Sequence, residues 1–139
     1  MVSSLSRRTG VQEQPATPPR ILLVEDDPDQ ALLFGQVLKS SGYLVITVAT
    51  AEDAQQALAA SPFDLLLADW SLPGMKGDTL ISRAKALYPA MKTLLYSNHT
   101  DVDTAAAQVG ADAWFRKIEG VVRLRQTIRP LLPRDANHA

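Results

Sequence analysis

Apolar residues come along this chain in two alternating rhythms. ILLVE (21–25) is an unbroken apolar run closed by an acid, the pattern of a buried strand. From Pro28 to Lys39 the apolar positions are instead Ala31, Leu32, Phe34, Val37 and Leu38, the stripe of an amphipathic helix, which Ser40-Ser41-Gly42 ends. The same two rhythms then repeat. YLVITVA (43–49) is short and β-branched, and Ala51 to Ala60 is an alanine-rich helix opened by Thr50 and broken by Ser61-Pro62. DLLLAD (64–69) is a strand, SLPGMKGD (71–78) a loop, and Leu80 to Leu87 a helix stopped before Pro89. TLLYS (93–97) reads as a strand and Val102 to Val109 as a short helix closed by Gly110. AWFRK (113–117) is the last strand, and Glu119 to Leu132 the last helix, with Val121, Leu124, Ile128, Leu131 and Leu132 on one side.

Five strands and five helices in strict alternation predict an α/β domain over residues 20–132. Strands this apolar are expected to be buried on both faces, as in a parallel sheet covered by helices. Right-handed crossovers place those helices on both sides, giving a doubly wound fold. In such sheets a ligand lies at the carboxyl ends of the strands, where strand order reverses. Residues 1–19 are polar, hold three prolines within PATPP and show no apolar period, so a disordered tail is expected. Arg7 and Arg8 read as solvated, and 133–139 as a frayed end.

Composition narrows the function. The chain is 46% apolar and 21% charged, with net charge -1, which argues against nucleic-acid binding as its main activity. It has no cysteine, hence no disulfide, thiolate metal site or cysteine nucleophile. No apolar run approaches membrane-spanning length and the N-terminus lacks a signal-peptide core, so a cytoplasmic location is expected.

The acids carry the chemistry. Glu25, Asp26, Asp27 and Asp29 crowd the end of the first strand, Asp69 ends the third, Ser97 the fourth and Lys117 the fifth. Asp27 and Asp29 flank Pro28 and suit a helix start. If strands one and three are neighbours, as in a 2-1-3-4-5 order, Asp69 faces Glu25 and Asp26. Carboxylates so placed repel one another and call for a proton or a hard cation. Carboxylate, metal, ammonium and hydroxyl together suit a phosphoryl group carried on a carboxylate nucleophile.

ILLVEDDP, DLLLADWSLPGMKG, TLLYS and GADAWFRK, in that order and spacing, resemble the receiver domain of two-component response regulators from about Arg20 to Leu132. The resemblance implies a flavodoxin-like (βα)5 fold of strand order 2-1-3-4-5. It implies that Asp69 accepts a phosphoryl group from a sensor histidine kinase or a histidine phosphotransfer protein. Glu25 and Asp26 would hold Mg2+ (or Mn2+), Asp26 directly and Glu25 through water, with Asp69 and the Ser71 backbone carbonyl as further ligands. Lys117 would contact the phosphoryl group, Ser97 would be the switch hydroxyl and Trp114 the switch aromatic. A downstream protein would read the face made by the fourth helix, fifth strand and fifth helix, with no nucleic acid or membrane bound by this domain. The only chemistry implied is self-catalysed transfer to Asp69 and slow autodephosphorylation, not an enzyme's.

Three positions depart from the family pattern. Ile118 follows Lys117 where proline, often cis, is usual; the expectation is either a trans bond with a rearranged loop or a strained cis bond. Asn98 and His99 follow Ser97 where the next residue is usually very small, and are expected to narrow access to the site. Trp114 replaces the commoner Tyr or Phe and is expected to hinder an inward rotation. His99 itself reads as a solvated loop residue, and Arg123, Arg125 and Arg129 as a solvated strip. The rival is a receiver-like interaction module that is never phosphorylated. A dinucleotide-binding domain would need glycines in EDDPDQ, and an aspartyl-phosphate hydrolase a second acid where Ser71 stands.

Overall fold

Strands β1 (Arg20–Val24), β2 (Leu44–Val48), β3 (Leu65–Asp69), β4 (Lys92–Ser97) and β5 (Ala113–Arg116) alternate with helices α1 (Pro28–Ser40), α2 (Ala51–Ala60), α3 (Gly77–Leu87), α4 (Val102–Val109) and α5 (Gly120–Ile128). This computed structural model describes residues 17–132. Most of the tail expected at 1–19, with Arg7 and Arg8, and the frayed end expected at 133–139 lie outside the described residues. The sheet order is β2-β1-β3-β4-β5 and every pairing is parallel.

Side-chain alternation splits the sheet into two cores. Leu22, Val24, Leu66, Ala68 and Leu95 pack with α2, α3 and α4. Ile21, Leu23, Leu65, Leu67, Leu94, Tyr96 and Phe115 pack with Phe34 and Leu38 of α1 and Leu124 and Ile128 of α5. Burying both faces of β1 and β3 leaves their backbone ends, and the loops beyond them, as the place where polar groups can gather.

Local chemistry explains most boundaries. Asp27 caps α1 by accepting the Asp29 N–H, with Pro28 in the first turn. Thr50 caps α2 by accepting the Asp53 N–H at 3.0 Å. Gly110 closes α4 in the left-handed conformation, φ 72°. The last helix is shorter than expected. A 3-10 turn, Lys117–Glu119, precedes α5 and another, Arg129–Leu131, follows it. Pro130 explains the second break, because it has no N–H to continue the α ladder.

Two expectations about burial are corrected. Leu32, placed on the apolar stripe of α1, is 61% exposed, while Gly35 is buried against β2. β2 is not covered on both faces: Leu44 and Ile46 are 45% and 46% exposed. It is an edge strand with β1 as its one neighbour, so its apolar side chains lack a full set of partners.

Candidate functional site

β1 and β3 pair in register from Ile21 with Leu65 to Val24 with Ala68, so the residues that follow emerge side by side. One carboxylate oxygen from each of Glu25, Asp26 and Asp69 lies within 4.8 Å of the other two. Glu25 and Asp69 are buried and Asp26 is exposed. Lys117, the residue after β5, reaches across β4. Its Nζ donates to Asp69 Oδ2 at 2.8 Å and lies 3.2 Å from Glu25 Oε1. The other Asp69 oxygen, Oδ1, accepts the Ser71 N–H at 3.0 Å.

Glu25 is held on both oxygens. Its Oε1 accepts the Tyr96 hydroxyl at 2.8 Å, and its Oε2 accepts the Asp27 N–H at 3.1 Å. Burial, then the charge of Asp69, push the Glu25 pKa above its ordinary value, and the Tyr96, Asp27 and Lys117 contacts only partly offset this. Burial and the Glu25 charge likewise push the Tyr96 phenol well above its ordinary value. For Lys117, burial works against the charge. The hydrogen bonds and charges of Asp69 and Glu25 outweigh it and hold the ammonium's pKa above its ordinary value.

This donor set fits a hard divalent ion. Three carboxylates converge, and their oxygens are the ligands Mg2+ and Mn2+ prefer. Asp26 is open to solvent, as a directly bound ligand shared with water needs to be. Glu25 already accepts from protein donors at both oxygens, which suits contact through water.

The remaining residues singled out by sequence lie around this pocket, in varied roles. Ser97 is buried at the end of β4, and its Oγ accepts the His99 N–H at 3.0 Å. His99 Nδ1 accepts the Asp101 N–H, and its ring meets Trp70 edge-on at 5.2 Å. Trp114 is 38% exposed, with the Arg116 guanidinium over its ring at 5.1 Å. There is no cis peptide among the described residues, so Lys117-Ile118 is trans. Asn98 Oδ1 accepts the Ile118 N–H at 2.8 Å.

Sequence reasoning passed over two residues. Tyr96 stacks on Phe115 at 5.4 Å and meets Phe34 at 5.3 Å, with its hydroxyl on Glu25. The available signal was a tyrosine inside an apolar strand, where a buried hydroxyl needs a partner. Gly77 packs so closely that a Cβ there would collide with the Asp69 carbonyl. Its N–H also bonds to Trp70 O, which starts α3 earlier than the apolar period suggested.

Residues 21–129 match the family model of the response regulator receiver domain. The chain belongs to this family. Receivers work in phosphorylation-based two-component signalling, and so does this one. It is 32% identical over 113 residues to DctD, the C4-dicarboxylate transport transcriptional regulatory protein of Rhizobium meliloti. That match covers 80% of this chain and 25% of DctD, so the chain spans about a quarter of that relative. Its fold superposes with a TM-score of 0.77 on a CheY-like receiver from Methanospirillum hungatei, 30% identical, covering 82% of this chain and 93% of that one. TrrA of Thermotoga maritima, solved with Mg2+ and beryllium fluoride, shares the fold at TM-score 0.77 and 24% identity, covering 82% of this receiver and 99% of TrrA.

Proposed function

We propose that Asp69 is the phospho-acceptor of this receiver. The observation that carries this is the Lys117 ammonium seated on two buried acids, 2.8 Å from Asp69 and 3.2 Å from Glu25, at the carboxyl ends of the strands. An Asp69 oxygen attacks the phosphorus of a phosphohistidine. The P–N bond breaks, its electron pair stays on the imidazole, and an acyl phosphate forms on Asp69. Lys117 keeps one cation at the pocket throughout and meets charge developing on the phosphoryl oxygens. The Ser71 N–H steadies the carboxylate. Ser97, at the end of β4, serves as the switch hydroxyl and Trp114 as the switch aromatic. Mg2+ or Mn2+, held by Asp26, Asp69 and the Ser71 backbone carbonyl, with Glu25 through water, supplies further neutralisation when bound.

The donor is a sensor histidine kinase or a histidine phosphotransfer protein in the cytoplasm. The readout surface is the α4-β5-α5 face, which exposes Trp114, Ile118 and Val122 beside Arg123 and Arg125. Among the described residues no helix is long and apolar enough to cross a membrane. Incubation with acetyl phosphate and Mg2+ should add one phosphoryl group, read by intact mass, and Asp69→Asn should add none. Failure of the wild type to take up phosphate would leave the interaction-module reading in its place.

A further inference from the structure

Two departures from the receiver pattern meet in one contact. Asn98 stands just after the end of β4, and Ile118 just after Lys117. The Ile118 N–H donates to Asn98 Oδ1 at 2.8 Å. A backbone N–H can only donate, so the amide must present its oxygen to it. Ile118 is 85% exposed, so its side chain anchors nothing by burial. What holds the Lys117–Glu119 turn is polar: the Ile118 bond to Asn98, and the Arg116 N–H on Glu119 Oε1 at 3.0 Å. A second strut runs parallel, from Arg116 Nη2 to the Thr100 carbonyl at 3.0 Å. The first ties the loop after β4 to the turn after β5, and the second ties it to the end of β5 itself.

We propose that Asn98 is a positioning residue for Lys117, its side-chain carbonyl locking the turn that aims the ammonium at Asp69. A proline after the lysine would have no N–H to satisfy. Isoleucine brings one, and Asn98 takes it up. The larger residue after Ser97 therefore acts as a clasp between the switch loop and the lysine loop, rather than as a plug over the pocket. The clasp makes the two loops move together, so a displacement at Ser97 is passed to Lys117 through one side chain. This rests on the reading of Lys117 as a phosphoryl contact.

Asn98→Leu separates the clasp from the plug, because it keeps the bulk and removes the acceptor. Asn98→Ala removes both, and Asn98→Asp keeps the acceptor. The expected result is that Leu and Ala alike speed hydrogen exchange of the Ile118 amide about tenfold, the weight of one hydrogen bond. They should also weaken beryllium fluoride binding about fivefold, read by intrinsic tryptophan fluorescence, with Mg2+ binding unchanged. Asn98→Asp should keep the amide protected. A Leu variant that binds beryllium fluoride like the wild type, or leaves Ile118 exchange unchanged, overturns the clasp. A wild type that binds none overturns the phospho-acceptor reading instead, and Ile118 exchange with the Lys117 Cε chemical shift then decides the clasp alone.

Discussion

At the scale of single residues, Glu25 is under the most conflicting demands. It is buried beside Asp69, yet three protein donors hold it in place: the Tyr96 hydroxyl, the Asp27 N–H and the Lys117 ammonium. Burial and the neighbouring carboxylate raise its pKa from 4.5. The folded protein therefore binds this proton more tightly than the unfolded chain does, and stability falls as pH rises from 4.5 through the raised folded value. In EDTA, calorimetry should show wild-type Tm losing ground to Glu25→Gln as pH rises across that window. A constant difference in Tm at all pH values would count against it. Asp69, Asp26 and Lys117 were legible in the sequence, because each sits at a strand end within a recognisable run. Tyr96 was not, because its hydroxyl finds Glu25 only after β4 has been placed two strands from β1.

At the scale of elements, periodicity located every strand and helix and misjudged several edges. α3 begins at Gly77, where the chain passes against the Asp69 carbonyl with no room for a Cβ, a constraint that no apolar period encodes. Gly77→Ala should therefore cost about 1–3 kcal/mol, the range of overpacking, measurable by urea unfolding. It should also slow phosphorylation, because the collision lies at the backbone of the acceptor. A variant with wild-type stability would show that α3 can shift freely. β2 was read as fully buried from its composition alone. Its exposure follows from being last in the sheet, a fact of strand order rather than of its own residues.

At the scale of the whole molecule, a metal bound at the acid pocket would be coupled to folding. A ligand bound only by the native state adds about 2.7 kcal/mol at roughly 100 times its Kd. For a domain of this size that is roughly 10 °C in Tm. Mg2+ should raise the wild-type Tm by about that much, and Asp26→Asn should lose most of the shift. An equal shift in the variant would remove Asp26 from the ligand set. The sheet makes the coupling possible, since β1 and β3 run parallel side by side and so bring the first acids next to Asp69.

Local pattern by itself determined the alternation of elements and the two-sided core, and placed the strand ends to within a residue, because burial and backbone geometry act over a few neighbouring positions. Tertiary structure alone decided which distant groups meet: the Tyr96 hydroxyl with Glu25, 71 positions apart, and the Asn98 side chain with the Ile118 backbone N–H, 20 apart. Such contacts depend on register between strands and on loop paths, which are set when the sheet closes. The turn after Lys117 belongs with them, since the acceptor for its Ile118 N–H is a side chain from another loop.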